Sequence, residues 1–208
     1  MSETGQPTEN PGDDPNRQSE QVRIQHLSAR VPERISRGAF STGAIVMTGG
    51  TEFIIDFVQN LGTPASIAAR VIMPHACMPQ FIEALRKNLD IYRQRFGEPP
   101  TVPGNPPQAR QPSAQEIYDE LKLPDDQLSG AYANGVMIGH TPSEFKFDFL
   151  TNLFPSSAVS ARVFLSVPQV PRLLHSLQNT YNQFLQRVQQ QRGQQPPPPS
   201  PPSPPEGQ

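Results

Sequence analysis

The sequence Glu-Phe-Ile-Ile-Asp-Phe-Val-Gln-Asn-Leu at residues 52–61 returns at residues 144–153 as Glu-Phe-Lys-Phe-Asp-Phe-Leu-Thr-Asn-Leu. The two stretches are 92 residues apart, and at this offset residues 32–94 align with residues 124–186 without a gap. Sixteen of the 63 aligned pairs are identical, whereas unrelated sequences of ordinary composition would share about 4. The chain therefore contains an internal duplication, and its fold is one unit present twice.

Strict alternation within this motif predicts a half-buried β-strand. Phe53, Ile55 and Phe57 fall on one face, and Glu52, Ile54 and Asp56 fall on the other. Apolar runs at 44–48 and 67–73 flank the motif, and Gly- and Pro-containing turns at 49–50 and 62–64 separate the three runs. Each copy is therefore expected to begin as a three-stranded antiparallel meander.

A long amphipathic helix is predicted after the third strand, over residues 76–96, with Gly97 ending it. Its apolar side chains recur at spacings of four and three, and the second copy repeats the register. These positions are Met78, Ile82, Leu85, Leu89, Tyr92 and Phe96 in the first copy, and Val170, Leu174, Leu177, Tyr181, Phe184 and Val188 in the second. A shorter helix is predicted before the second copy, where residues 113–116 resemble a capping box.

Each copy is thus a β-β-β-α unit of about 65 residues, which alone would bury little apolar surface and be marginally stable. We therefore predict an α+β fold in which the two repeats form a pseudo-two-fold intrachain dimer. The sequence leaves two arrangements open: the two long helices pack together, or the two sheets join edge to edge.

Proline marks the boundaries of these units, since 26 of the 208 residues are proline and eight of them lie within residues 196–205. The predicted segments are a disordered N-terminal tail at 1–25, the first repeat at 26–97, a Pro-rich linker at 98–112, the second repeat with its leading helix at 113–190, and a polyproline C-terminal tail at 191–208.

Composition narrows the class of protein. The net charge of −2 gives no gross nucleic-acid or membrane signature. No apolar run is long enough to span a bilayer, and the polar N-terminus lacks the features of a secretory signal. The single cysteine, Cys77, excludes an intrachain disulfide. These features predict a cytoplasmic protein without a membrane association and without a cofactor.

The most specific polar feature is a set of charged residues that the duplication repeats. It consists of Glu52, Asp56 and Arg70 in the first copy and Glu144, Asp148 and Arg162 in the second. Hairpin register would place each arginine diagonally between the two carboxylates, on the sheet face away from the helix. The set is interpreted as a cross-strand ladder that fixes register, as a ligand or partner surface, or, least of all, as acid–base carboxylates.

Other chemistry-bearing residues do not repeat. His75, Cys77, His140 and His175 are matched by Val167, Gln169, Thr48 and Glu83 at the offset of 92. A duplicated metal site would appear in both copies, so no metal site is predicted. Gly38 and Gly130 do repeat, and we expect both to adopt the positive φ that a turn requires.

The motifs of the first copy also resemble a known family. They are Gly-Ala-Phe-Ser-x-Gly-Ala-Ile-Val at 38–46, Thr-Glu-Phe-Ile-Ile-Asp-Phe at 51–57, Ala-Arg-Val-Ile-Met-Pro at 69–74 and the helix end at 88–97. The pattern is similar to domain of unknown function 3467, a small prokaryotic family whose members usually hold one copy. The resemblance implies no activity, and it implies that this chain is the fused form of a dimer if single-copy members dimerise.

We expect a non-enzymatic binding or assembly module that acts through the paired repeats, with a protein partner or self-association. Two alternatives rest on fold-level likeness alone. The first is a single-stranded nucleic-acid-binding protein, similar in outline to the coactivator and Whirly-type folds. The second is a chaperone for unfolded segments, similar in outline to SecB. Side chains expected to be exposed among the charges, Ile54, Ile72 and Phe164, would serve either one.

Overall fold

The computed structural model describes residues 29–101, 114–153 and 156–193. The predicted N-terminal tail at 1–25, most of the Pro-rich linker and most of the polyproline tail lie outside these residues. None of the helices in the described ranges is long and apolar enough to cross a membrane.

The two repeats have the same order of elements. The first contains α1 (Glu33–Ser36), β1 (Ala39–Ser41), β2 (Gly43–Thr48), β3 (Glu52–Gln59), β4 (Ser66–Pro74) and, after a single 3-10 turn, α2 (Met78–Phe96). A leading helix, α3 (Ala114–Asp119), precedes the second repeat. The second repeat contains α4 (Asp125–Leu128), β5 (Ala131–Tyr132), β6 (Gly135–His140), β7 (Glu144–Leu153), β8 (Ser156–Ser166) and, again after a 3-10 turn, α5 (Val170–Gly193).

The predicted meander is confirmed in both copies: β2, β3 and β4 pair antiparallel, as do β6, β7 and β8. The alternation in the defining motif also places its side chains as predicted, since Phe53, Ile55 and Phe57 have no exposed surface. Phe145, Phe147 and Phe149 are equally buried in the second copy. The α+β class, the β-β-β-α unit and the paired repeats therefore stand as predicted.

The meander does not complete either sheet, because each copy donates a short strand to the other. The sheet orders are β2-β3-β4-β5 and β1-β8-β7-β6. Strand β1 of the first repeat pairs parallel with β8, and β5 of the second repeat pairs parallel with β4. We call β1 and β5 the exchanged strands. The sequence reasoning did not predict this exchange.

Each long helix also packs on a strand of the other repeat. Helix α2 lies on β6 of the second repeat, and α5 lies on β2 of the first. The ring of Phe81 on α2 packs edge-on against Phe149 with centroids 5.6 Å apart, and Phe184 on α5 packs against Phe53 at 5.7 Å. The helices also contact each other. Of the two arrangements that the sequence left open, the structure has the first, in which the two long helices pack together. The two sheets are not joined edge to edge.

Most predicted helix positions form the core. Met78, Ile82, Leu85, Leu89 and Tyr92 are buried. Phe96 differs, since 41% of its surface is exposed at the end of α2. Its ring still contacts His140 of β6, with centroids 6.1 Å apart, so only part of Phe96 is open to solvent.

Two glycines open the exchanged strands. Gly38 and Gly130 have φ of 68° and 69°, so the predicted positive φ is confirmed. Each also lies against the other copy: a Cβ on Gly38 would be 2.7 Å from Phe164 Cε2, and one on Gly130 would be 2.8 Å from Arg70 Cγ. Glycine is therefore required at both positions for two reasons: the positive φ, and the close contact between this backbone and side chains of the other copy.

Gly38→Ala is therefore expected to destabilise the protein. Left-handed backbone costs a residue with a Cβ about 1–2 kcal/mol, and overpacking adds about 1–3 kcal/mol. Gly43→Ala is the matched control, because no atom lies within 4 Å of the Cβ it would add. Urea unfolding of both variants measures the difference. Equal urea midpoints for the two variants would contradict this explanation of why glycine precedes the exchanged strand.

Candidate functional site

The repeated charged residues form a bidentate ion pair in each copy. Arg70 lies directly opposite Asp56 on neighbouring strands, with Nε 2.8 Å from Oδ1 and Nη2 2.7 Å from Oδ2. Arg162 and Asp148 repeat this geometry at 2.6 and 3.0 Å. We call each pair an Asp–Arg clamp. Two parallel charge-assisted bonds give the arginine a fixed orientation.

The third arginine nitrogen reaches across to the other copy. Arg70 Nη1 donates to the backbone carbonyl of Leu128 at 3.3 Å, and Arg162 Nη1 donates to that of Ser36 at 3.1 Å. Leu128 and Ser36 end the short helices α4 and α1, which lead into the exchanged strands. Each clamp therefore holds the incoming strand of the other repeat at its entry point.

The first clamp is closed by Tyr118 on α3, a residue that the sequence reasoning missed. Its hydroxyl donates to Asp56 Oδ2. Burial raises the pKa of Tyr118 above its ordinary value, and the bond to Asp56 adds to the effect, so the phenol stays protonated as a donor. The only sequence signal was an aromatic residue on a helix that is otherwise polar at its start.

The second clamp has a different neighbour. Lys146 Nζ lies 3.3 Å from Asp148 Oδ2, and Ile54 occupies the equivalent position in the first copy. In both copies the hydrogen bonds that the arginine donates to the aspartate raise the pKa of the arginine above its ordinary value, so both guanidinium groups remain charged.

The remaining two predicted site residues lie apart from the clamps. Glu52 Oε2 accepts hydrogen bonds from the backbone and hydroxyl of Thr51, which lower the pKa of Glu52. Glu144 Oε2 accepts from Thr141 Oγ1 at 2.8 Å. Both glutamates therefore support hairpin turns. The expected diagonal position of each arginine between two carboxylates is wrong, because direct cross-strand register assigns the arginine to the aspartate alone.

The clamps present little surface to a ligand. The side chains of Arg70 and Asp56 are 13% and 0% exposed, and those of Arg162 and Asp148 are similarly covered. A buried carboxylate that loses its cation is left with an uncompensated charge. The geometry is therefore that of the register-fixing ladder, extended by a bond to the other repeat.

The residues considered as metal ligands are scattered. In the parts of the chain that the structure describes, no group of three histidine, cysteine or acidic residues is close enough to hold an ion. His75 Nε2 lies 3.0 Å from the carbonyl of Glu52, and His175 lies beside Asn179 on α5. Cys77 is half-buried, and burial raises the pKa of its thiol.

His140 has an unusual environment. Its ring stacks on Phe145 with centroids 5.1 Å apart and packs edge-on against Tyr92 and Phe96 of α2. Both ring nitrogens are buried without a hydrogen-bond partner among the described residues. Burial, together with the charge of Arg95, lowers the pKa of His140. A neutral imidazole thus forms part of the contact between α2 and the second repeat.

The sheet faces away from the helices carry a second feature. Met47, Ile54, Ile72 and Tyr132 are Cα partners across all four strands of the first sheet, and we call them the apolar row. The equivalent row in the second sheet is Gly139, Lys146, Phe164 and Phe40. Tyr132 and Phe40, on the exchanged strands, are 44% and 40% exposed.

The expectation that Ile54, Ile72 and Phe164 are exposed is wrong in degree, because all three are half-buried. Gly130 lies over Ile72, and Gly38 lies over Phe164. The exchanged strands therefore cover part of each outer face and add their own aromatic residue to it.

Two shallow depressions lie between the repeats. One, of about 460 Å³, separates α2 from α5 and is lined by Pro79, Ile82, Arg86, Gln178, Asn179, Tyr181 and Asn182. The other, of about 260 Å³, lies where the start of α2 meets β6 and includes Cys77, Asn134 and Asn152. Their linings are mainly amide and apolar side chains.

Removal of one clamp cation tests its structural role. Arg162→Ala leaves Asp148 buried, with Lys146 as its one remaining cationic partner among the described residues, and frees the Ser36 carbonyl. We therefore expect the free energy of unfolding to fall by about 3–5 kcal/mol. Arg86→Ala is the control: Arg86 lies 2.6 Å from Glu83 in an exposed pair, and such pairs contribute about 0–1 kcal/mol. Chemical unfolding measures both. Similar losses for the two variants would show that the clamp is not a structural device.

The buried imidazole predicts a pH dependence. The folded-state pKa of His140 lies below its ordinary 6.5, so the unfolded chain binds the proton more readily. His140 therefore does not reduce the free energy of unfolding above pH 6.5. Below pH 6.5 this free energy falls, because protonation of His140 favours the unfolded chain. We expect His140→Thr, which introduces the residue found at position 48, to reduce this loss. His175→Gln is the control, and urea midpoints from neutral to mildly acidic pH provide the measurement. An unchanged pH profile in His140→Thr would contradict the prediction.

Comparison with known proteins gives a family and no function. No curated protein and no solved structure matches the chain. The family described as "Protein of unknown function (DUF3467)" matches twice, over residues 6–99 and 103–193. Two matches in one chain agree with the duplication seen in the sequence and with the two equivalent sets of strands and helices. The chain therefore belongs to the DUF3467 family and contains its domain as a tandem duplication.

Proposed function

We propose that this protein is a non-catalytic protein-binding module, and that its binding surface is the outer face of the first sheet. The observation that carries the proposal is the apolar row. Met47, Ile54, Ile72 and Tyr132 cross all four strands on the face away from the helices. Contiguous apolar side chains on a solvent-facing sheet are typical of interaction sites.

The position of this row relative to the clamp supports a protein partner. The clamp row of Ile45, Asp56 and Arg70 is adjacent, and α3 closes it through Tyr118. The aspartates and arginines that the sequence singled out are thus engaged in the clamps, whereas the two glutamates are not. A partner would bind beside them, on the apolar row, with Glu52 at the rim. An apolar centre with a polar rim is the usual composition of a protein interface.

The difference between the two sheets also supports a dedicated surface. The duplication keeps both clamps but replaces Met47 and Ile54 by Gly139 and Lys146 in the second sheet. Both sheets keep their inner phenylalanines buried. Selection for the core alone gives no reason for the first outer face to be more apolar than the second.

A second candidate is single-stranded nucleic acid, bound on the second sheet. Phe40, Phe164 and Lys146 are neighbours in one row there, and aromatic rings beside a cation provide stacking and phosphate contacts. The chaperone alternative uses the first sheet, because an apolar row would also hold unfolded segments.

Cytoplasmic placement is part of the proposal and is supported by the one free cysteine.

A pull-down from native lysate, with and without nuclease, tests these functions. The proposed function predicts a discrete protein partner that nuclease treatment leaves in place. Loss of all captured material after nuclease treatment would favour nucleic acid, and that binding would weaken steeply with salt. Capture of many unrelated proteins, with suppressed aggregation of a model client, would favour a chaperone.

Exchange of one residue between the sheets gives a sharper test. Ile54→Lys gives the first sheet the residue that the second tolerates at the same place, where Lys146 lies 3.3 Å from its aspartate. We expect at least a tenfold loss of partner affinity, about 1.4 kcal/mol, with an unchanged melting temperature. Lys146→Ile is the reciprocal control and should leave partner binding intact. Full binding by Ile54→Lys would place the partner elsewhere.

A further inference from the structure

We propose that two copies of this chain associate through strand β2, edge to edge and antiparallel, to form a continuous eight-stranded sheet. This inference concerns the edge of the first sheet and does not depend on the proposed function, which concerns its face. The occupant of the edge is a second β2 from an identical chain, related by a two-fold axis.

One side of the β2 backbone has no strand partner in the part of the chain that the structure describes. The N–H of Gly49 donates to the carbonyl of Glu52 at 2.7 Å in the hairpin that joins β2 to β3. Because bonded pairs alternate in an antiparallel ladder, Gly43, Ile45 and Met47 bond to β3. The N–H and C=O groups of Ala44, Val46 and Thr48 therefore point away from the sheet. Among the described residues, β2 pairs with no strand other than β3.

This edge lacks the usual protection against strand addition. Exposed edges are normally short or interrupted by charge, proline or a bulge. The edges formed by the exchanged strands fit that rule, with only three and two residues. Strand β2 has six residues, and none is charged or proline. Two such strands meet without charge repulsion.

The equivalent edge on the second sheet is a weaker partner. Strand β6 has the same length, but it contains Gly139 at an interior position and ends at His140. Glycine weakens a strand because it has no side chain to pack. Two equally adhesive edges on one chain would produce open fibres, whereas one strong edge closes as a two-fold dimer. The divergence between the copies therefore favours a closed dimer.

Two further features of the first sheet support pairing at the β2 edge. Its far edge is already completed by strand addition, since β5 arrives from the other repeat. The outer side chains of β2, Ile45 and Met47, lie at the end of the outer face. Pairing of two β2 strands would join two apolar rows into one stripe across the dimer.

Sedimentation velocity of the full chain across a concentration series tests the proposal. The expected result is a dimer that dissociates on dilution. Val46→Pro removes an edge N–H that no hydrogen bond among the described residues uses, and Met47→Lys places a charge on each apposed strand. Each variant should raise the dissociation constant at least about tenfold. Thermal unfolding followed by circular dichroism checks that both variants fold, and Met47→Lys covers the case in which proline disturbs the strand.

Met137→Lys is the control on the β6 edge: Met137 is the equivalent of Ile45 and lies on the same outer face as Gly139, the equivalent of Met47. It should leave the dimer intact. A monomer at every concentration would overturn the proposal, as would a dimer that survives in folded Met47→Lys, or one that Met137→Lys dissolves equally. Tyr132→Ser, on the far strand of the same face, separates the two proposals. It should reduce partner capture and leave the dimer unchanged.

Discussion

The structure depends on the reciprocal exchange of two short strands, each held at its entry by an arginine from the other repeat. A single unit of three strands and one helix, at about 65 residues, buries little apolar surface and is marginally stable by itself. Here the inner phenylalanines of each sheet are covered by the other repeat's helix, and each sheet gains its fourth strand from the other repeat. The clamps link these events, because the guanidinium that pairs with a buried aspartate also binds the helix preceding the exchanged strand.

This arrangement separates the duplicated framework from the surfaces that have diverged. The residues that repeat include both clamps, most of the inner strand face and the two glycines that open the exchanged strands. The outer rows and the open edges differ between copies: one sheet has a methionine and an isoleucine where the other has glycine and lysine. A framework with two-fold symmetry therefore supports two unequal outer faces. The proposals on partner binding and self-association both follow from that inequality.

Much of the framework could be predicted from the sequence because its signals are local or repeated. Alternation identified the buried phenylalanines, and the constant offset identified the two copies. The exchange could not be predicted in the same way, since three-residue and two-residue parallel pairings leave no periodic pattern. The acceptors of Arg70 and Arg162 are backbone carbonyls, which carry no side-chain signature. Tyr118 was missed because its partner lies 62 residues earlier. Gly38 and Gly130 were a sign of the exchange in the sequence. Their positive φ was predicted, but the close contact with the other repeat that also requires glycine was not.

Native-state hydrogen exchange of the full chain tests most directly whether the repeats form a single cooperative unit. If each core is completed by the other copy, the slowest amides of β3 and β4 open with the same free energy as those of β7 and β8. A destabilising change confined to one repeat then lowers both values together. Two distinct opening free energies, with only the altered repeat responding, would show that each copy folds independently and would contradict the account.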